Sequence, residues 1–489
     1  MLVKNNILIN KILNNYKNHP NKVIISDKKK SLTYSQLVNL ALKNSKNLLD
    51  IESEYIPILI SRNVESVVAI FSVIFAGKVF CPISGLFPSE RIKLFLNMLN
   101  SSFLINCSKK KVNFINCYKV SLSLEKKFNK IKIQDLAKPF YLLFTSGSTG
   151  TPKGVKLSFE NILNTLLWSK NYLKWENHKI GIATQFSFDI SMFDLFSGLF
   201  FNTPIYILDD PADPFQSLKE IKKNKITSIF SVPTFFSNFV RYKLIKKKFN
   251  PLKRIISGGD FFPPKDILSW LSNQKKIDIF NVWGPTETSI VNTMYKIKEN
   301  DMNSISNGNS IPVGKAHPRM EIKILKNKKE IENNKVGEIC VIGKSISLGY
   351  IGNIKNSKNY FNYKSKRAYL TGDLGFIDNK GYLHIVGRKD NTIKISGFRI
   401  DTLEIENNVN FKFNATNSYL FKIKVLEIQI LCLAVESLKK IKKESIIEFL
   451  KERLPSYSLP KKIIIFKKFP LNQNNKIDKQ KIQNFFYEK

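Results

Sequence analysis

The chain has 489 residues, 43% hydrophobic and 12% aromatic, which is enough for more than one domain with its own core and too apolar for a disordered polymer. Lysine and arginine number 78 against 39 acids, a formal net charge of +39, yet the lysines are spread along the whole chain beside an excess of Asn, Ile and Phe. That pattern fits composition bias better than a basic block built for nucleic acid. Five cysteines without metal-like spacing and four scattered histidines argue against a disulfide framework and a zinc site. No basic-then-apolar signal pattern opens the chain, and the apolar run 67–76 falls short of the roughly 20 residues a membrane span needs. A cytoplasmic protein with no membrane span is the expectation.

Taken in order, the first part alternates short apolar runs with helical stretches. Ile56–Ile60 and Phe103–Cys107 predict strands, and Glu65–Phe75 predicts a buried helix. Such alternation implies a largely parallel sheet covered by helices. Tyr141–Phe144 predicts a buried strand that breaks into Thr145-Ser146-Gly147-Ser148-Thr149-Gly150, closed by Pro152 and Lys153. Glycines let successive N–H groups face one concavity, hydroxyls add donors, and Lys153 adds a mobile positive charge, so the loop suits a polyphosphate. It is not a Walker A loop, because Gly150 is followed by Thr-Pro-Lys-Gly. Ser158 can cap a helix whose apolar residues Ile162, Leu163, Leu166 and Leu167 repeat at helical spacing. Strands are expected at 180–184, 204–208, 228–232 and 254–258, and ligands of open α/β sheets collect at the carboxyl ends of such strands.

Further motifs follow those ends. Phe186-Ser-Phe-Asp-Ile-Ser-Met-Phe-Asp194 sets Asp189 among aromatic and aliphatic residues, where a carboxylate is costly to bury unless a cation pairs with it. Asn281-Val-Trp-Gly-Pro-Thr-Glu-Thr288 offers an aromatic face, a hydroxyl at Thr286 and a carboxylate at Glu287. Tyr369-Leu-Thr-Gly-Asp-Leu-Gly375 carries Asp373, and Gly387-Arg-Lys-Asp-Asn-Thr-Ile-Lys-Ile-Ser-Gly-Phe-Arg399 reads as a polar hinge followed by strand, turn and strand. An amphipathic helix through Ile446, Ile447, Leu450 and Leu454 lies between strand-like runs at 426–435 and 462–466. Near the end stands Asn472-Gln-Asn-Asn-Lys-Ile-Asp478. Each string alone could be a turn or a solvated charge.

All of them, in this order, resemble the motifs of the adenylate-forming enzymes, the superfamily of acyl-CoA synthetases, luciferases and peptide-synthetase adenylation domains. Leu32-Thr-Tyr-Ser-Gln-Leu37 and Ala76-Gly-Lys-Val-Phe-Cys-Pro-Ile83 match it locally, as do Gly337–Gly343 and Leu348-Gly-Tyr350. The resemblance covers essentially the whole chain. It implies an α/β fold with a large N-terminal domain, 1–388, and a small mobile α+β domain, 389–489. It implies that residues 145–150 and Lys153 hold ATP phosphates, with Gly258, Asn281, Trp283, Gly284, Asp373 and Arg388 at the rest of the nucleotide. Trp283 replaces the usual Tyr and keeps a face that can stack on adenine. Asp373 takes the ribose hydroxyls, Thr286 donates to the α-phosphate, and Glu287 holds Mg²⁺. Lys476 is the catalytic lysine, with Asn475 in place of the usual Gly, and Asp390 is the hinge.

The same resemblance assigns Asp189 to a substrate α-amino group, which points to the amino-acid branch. It carries the side-chain pocket over to Ile190, Phe193, Phe230, Ile255, Ser257, Val282, Ile290 and Val291. No charge occurs among these, so a small or medium aliphatic amino acid is expected. The implied reaction joins that amino acid to AMP with release of pyrophosphate and passes it to a phosphopantetheine thiol. No Gly-Gly-x-Ser-type carrier string occurs, so the expected partner is a separate holo carrier protein. A D-alanine:carrier-protein ligase and an acyl- or aryl-CoA ligase stand as alternatives. A nucleic-acid partner is disfavoured by the dispersed charge, and an inactive relative by the joint presence of Glu287, Asp373 and Lys476.

Overall fold

The computed structural model describes residues 6–123, 135, 137–145, 152–245, 251–274, 276–302, 305, 311–352, 358–389, 392–425, 428–470 and 477–487. The chain forms two compact units. One comprises Met1–Gly85, Leu96–Phe144 and Gly154–Lys389, and the other Leu86–Phe95, Thr145–Lys153 and Asp390–Lys489.

The larger unit is built on three sheets. In a nine-stranded sheet, Val23–Ser26, Ile205–Ile207, Ile180–Ile182, Ser228–Ser231, Arg254–Ser257 and Asp278–Trp283 run parallel in that order. Thr293–Lys296 and Lys315–Ala316 extend one edge antiparallel, and Ser31–Thr33 the other. A seven-stranded sheet has the order Gly349–Tyr350, Lys153–Ser158, Pro139–Thr145, Val79–Ser84, Tyr55–Ile60, Phe103–Asn106, Asn116–Tyr118. A third sheet is antiparallel: Met320–Lys326, Gly337–Gly343, Lys366–Ile377 and Tyr360–Tyr363, with Leu383–Arg388 also paired to the long strand Lys366–Ile377.

The central parallel strands carry apolar residues on both sides because both faces are covered. On one face Phe230, Ile256, Phe280 and Val282 join a core with Val64–Phe75, Phe159–Leu173 and Asp189–Phe200. Every residue of the first of these helices from Ser66 onward is buried. On the opposite face Ile229, Ile255 and Ile279 pack with Ile221, Phe236, Phe239 and Trp270 from the helices Pro214–Lys223, Pro233–Arg241 and Pro264–Asn273. The helix after the phosphate-loop region starts where its sequence signals it. Ser158 accepts from the Asn161 amide while the Asn161 side chain returns to the Ser158 amide, a reciprocal cap.

The smaller unit holds a hairpin, Thr392–Ile395 with Phe398–Asp401, turned by Ser396 and Gly397 at φ 51° and 80°. Two successive left-handed residues make the tight turn that suits strand twist, and Gly397 adopts its share without strain. A sheet of Asn417–Val425, Ile428–Glu436 and Lys462–Phe466 follows. Leu431, Leu433 and Val435 pack with Ile446 and Leu450 of helix Lys443–Arg453, while Cys432 and Ala434 face Ile482 and Phe486 of helix Lys479–Tyr487. No described helix of the chain is long and apolar enough to cross a membrane.

Candidate active site

Asp189 is the first residue of helix Asp189–Phe200, where the unpaired amides and the macrodipole favour a negative charge. Its Oδ1 accepts its neighbour Ile190's amide at 2.8 Å, and its Oδ2 accepts the Thr286 hydroxyl at 2.7 Å. The structure thus brings the aspartate of one motif onto the threonine of another, and the Thr286 hydroxyl expected at a phosphate is here directed to a carboxylate. One turn on, Phe193 meets Phe230 edge to face, with ring centroids 5.6 Å apart. A Cβ placed on Gly258 would lie 2.6 Å from Val282 Cγ2 and 3.4 Å from Phe230, so only glycine fits between them. Ile190, Phe193, Phe230, Val282, Ile290 and Val291 all belong to the same buried core.

Ile255 does not join them. Register pairs Ile256, not Ile255, with Phe230 and Phe280, and strand alternation turns Ile255 into the opposite core beside Ile229 and Ile279. Ser257, two residues on, shares that parity and is fully buried. Of the eight positions expected, six lie in this apolar wall, Gly258 adjoins it through Val282 and Phe230, and Ile255 lies in the opposite core.

The segment after Trp283 doubles back sharply. Gly284 lies so close to Ile290 O that a Cβ would stand 2.5 Å from it, and the Asn292 amide donates to Trp283 O at 2.8 Å. Ser289 and Ile290 carry φ of 66° and 74°, a left-handed pair that is unfavourable for a β-branched residue and concentrates strain beside the wall. Within this turn Glu287 is buried. The Tyr350 hydroxyl donates to its Oε1 at 3.2 Å, and a further Tyr350–Tyr369 hydroxyl contact of 3.2 Å supports it. Burial, and then Glu287 itself, push the Tyr350 hydroxyl's pKa upward, so it stays a donor.

Asp373 is 2% exposed and has both carboxylate oxygens bonded. Trp283 Nε1 donates to Oδ2 at 2.9 Å, and Arg388 Nη1 donates to Oδ1 at 2.5 Å. Arg388 is the residue directly opposite Asp373 in the antiparallel ladder. Trp283 is 6% exposed and packed with Val313, Met320 and Tyr369. Besides the ring face expected to meet adenine, Trp283 presents an N–H edge to Asp373. Asn281 uses its amide to donate to Pro312 O at 3.1 Å. Thr145 and Lys153 end one strand and begin the next, with the Thr145 hydroxyl 3.5 Å from the Lys153 carbonyl. Ser146, Gly147, Ser148, Thr149, Gly150, Asp390 and Lys476 lie outside the described residues.

Two features escaped sequence reasoning. Tyr350 stands in a quoted motif, Leu348-Gly-Tyr350, but only the fold shows that its hydroxyl reaches Glu287. The Thr286–Asp189 bond spans ninety-seven positions of sequence, and no local pattern encodes it.

The arrangement fits a nucleotide-dependent acid-activating site, and comparison with known proteins bears on it directly. The family model described as AMP-binding enzyme matches residues 13–351. The chain belongs to the AMP-binding enzyme family. It is 27% identical over 507 residues to the D-alanine--D-alanyl carrier protein ligase of Lactococcus lactis, covering 97% of this chain and 98% of that one. Among solved structures it superposes on the Vibrio cholerae adenylation domain AlmE, in complex with glycyl-adenosine-5′-phosphate, with a TM-score of 0.86 at 18% identity, covering 100% of this chain and 99% of that one. The o-succinylbenzoate CoA synthetase of Bacillus subtilis gives 0.85 at 20% identity over 97% and 98%. This AMP-binding enzyme thus shares its fold with an adenylation domain and a CoA synthetase, and the fold alone does not choose between them.

Proposed function

We propose that the protein activates a small or medium aliphatic amino acid with ATP and delivers it to a separate carrier protein. The substrate carboxylate attacks the α-phosphorus, a P–O bond forms, the α–β phosphoanhydride breaks, and pyrophosphate leaves. The sulfur of the carrier's phosphopantetheine then attacks the acyl carbon, a thioester forms, and AMP leaves as the thiol gives up its proton.

The observation that carries this reading is Asp189: a carboxylate at a helix N-terminus, bonded to Thr286, on the helix whose Phe193 packs against Phe230 in an apolar wall that includes Val282 and holds no charge. An α-ammonium matches such a carboxylate, and a small aliphatic side chain matches the wall. Asp373 takes the ribose hydroxyls, with Arg388 beside it. Residues 145–150, Lys153 and Lys476 take the developing negative charge on the phosphates, which is catalysis by position and electrostatics. Glu287, a buried hard-oxygen ligand, fits Mg²⁺ held jointly with substrate phosphates, and its chemistry there is charge neutralisation. Rotation of the small domain, 389–489, about Asp390 separates the two half-reactions.

D-Alanine is the second reading. It is favoured by the near-full-length similarity to the Lactococcus lactis D-alanine--D-alanyl carrier protein ligase and by the crowding of Phe193 against Phe230. The test is to incubate the enzyme with ATP, each candidate amino acid and candidate holo carrier proteins, then weigh the carriers by mass spectrometry. Loading of a carrier is expected. Efficient acylation of free coenzyme A with no carrier loaded would overturn the reading in favour of a CoA ligase.

A further inference from the structure

The hydrogen bond from Thr286 to Asp189 joins two subsites of the proposed reaction. Asp189 is read as the acceptor of the substrate ammonium and Thr286 as a donor to the α-phosphate, yet here the Thr286 hydroxyl donates to Asp189 Oδ2 at 2.7 Å. Both backbones are pinned. Asp189 opens helix Asp189–Phe200, directly after a turn in which the Phe188 amide donates to Gln185 O at 2.9 Å. Thr286 opens a single 3₁₀ turn, Thr286–Thr288, in which the Thr288 amide donates to Pro285 O at 3.0 Å and Glu287 O accepts the Ser347 amide at 2.8 Å. Gly284, two residues earlier, has no room for a Cβ beside Ile290 O. What can turn is the Thr286 side chain, which changes partner by a jump between staggered rotamers. Both residues are partly exposed, so ligands can reach them.

From this geometry we infer that the Thr286 hydroxyl exchanges between Asp189 and the nucleotide, and that this exchange makes ATP and the amino acid bind with positive cooperativity. The inference rests on the reading of Asp189 as the ammonium acceptor and of Thr286 as an α-phosphate donor. A hydroxyl carries one proton and gives it to one acceptor at full strength. Whatever else Asp189 accepts, in the empty enzyme this proton is directed to its carboxylate, and a nucleotide has to draw it away. A substrate ammonium brings Asp189 a charge-assisted donor and so makes the release of Thr286 less costly. A nucleotide that has taken the hydroxyl leaves a more basic carboxylate for the ammonium. By linkage the two effects are one coupling, equal in both directions.

The experiment measures dissociation constants by equilibrium dialysis for α,β-methylene-ATP, whose α–β bridge does not break. Each is taken alone, with saturating alanine, 2-aminobutyrate or valine in L and D forms, and with the amine-free acids propionate, butyrate or isovalerate. The proteins are the unaltered enzyme, Thr286→Val, Thr286→Ser and Asp189→Ala, with melting temperature as a check on folding. In the unaltered enzyme the amino acid that binds is expected to tighten the nucleotide about five- to tenfold, and its amine-free partner to leave it within about twofold. Thr286→Val is expected to abolish this coupling and Thr286→Ser to keep it. Asp189→Ala is expected to bind the nucleotide alone severalfold more tightly than the unaltered enzyme, because the competing acceptor is gone. A merely structural Asp189 would weaken nucleotide binding when removed, and this arm keeps the proposal falsifiable if Thr286→Val does not fold. Coupling that survives in Thr286→Val, or none in an unaltered enzyme that binds both ligands, would overturn the inference and leave the amino-acid reading intact. Equal tightening by the amine-free acids would also overturn it. Undiminished amino acid binding by Asp189→Ala, or no binding of any amino acid of the panel, would remove the reading of Asp189 and this inference with it.

Discussion

Asp373 and Asp189 are two carboxylates in one unit of one fold, and their surroundings differ. Asp373 lies mid-strand, almost wholly buried, with an indole N–H on one oxygen and a guanidinium on the other. Asp189 lies at a helix N-terminus, partly exposed, accepting a threonine hydroxyl and a backbone amide. The first environment fixes the direction of lone pairs and suits neutral hydroxyl donors that need accurate geometry. The second keeps a negative charge stable at a helix end and suits a cation. Environment, not residue type, separates the two proposed roles.

Removing each carboxylate is the strongest way to break this contrast. Asp189→Ala is expected to lower amino-acid-dependent pyrophosphate exchange by about 10²–10³-fold while ATP affinity does not fall, because a charge-paired contact to the ammonium is lost and no nucleotide contact goes with it. Near-normal exchange would remove the amino-acid assignment. Asp373→Ala is expected to do the reverse, raising KM for ATP by about 10- to 100-fold with little change in KM for the amino acid. Initial-rate kinetics in both substrates would show any crossover between the two.

Phe230→Leu sharpens the Asp189 side. The leucine keeps an apolar wall but opens the space against Phe193, so preference should move toward larger aliphatic amino acids by about three- to tenfold, read as a ratio of kcat/KM values. A fall in all substrates alike would place Phe230 in the core only.

A third carboxylate extends the comparison to the smaller unit. Glu406 accepts the Leu420 amide at 2.7 Å, and burial raises its pKa to about 7 against an ordinary 4.5. A raised folded-state value means that the folded chain binds more protons between those pH values. Stability is then fully present below about pH 4.5 and declines as pH rises through about 7, by on the order of 1–3 kcal/mol. Glu406→Gln should flatten that dependence. Urea unfolding of the full chain at several pH values checks it, and an unchanged slope would show that Glu406 does not titrate there.

Much of the fold was legible because its signals are local. The Ser158 cap, the apolar runs that became Tyr55–Ile60 and Pro139–Thr145, and the Lys462–Phe466 strand need only periodicity and nearby residues. What stayed hidden depends on register. Whether Ile255 or Ile256 shares a face with Phe230 is decided by how two strands align, and one residue of shift exchanges the faces. The antiparallel sheet from Met320 to Arg388 set Arg388 opposite Asp373, a pairing that neither motif states alone. Trp283 was read by its ring because the motif usually carries Tyr there, while its N–H acquired meaning only when the third sheet brought Asp373 within 2.9 Å.

The central claim is activation of an acid that carries an α-amino group, and ATP–pyrophosphate exchange on the unaltered enzyme tests it most directly. The panel pairs each small aliphatic amino acid, in L and D forms, with the acid lacking the amine: alanine with propionate, 2-aminobutyrate with butyrate, valine with isovalerate. The account predicts exchange with one or a few of the amino acids and background exchange with every amine-free partner. Exchange driven by the amine-free acids, or by longer fatty or aryl acids, with none from the amino acids, would contradict it.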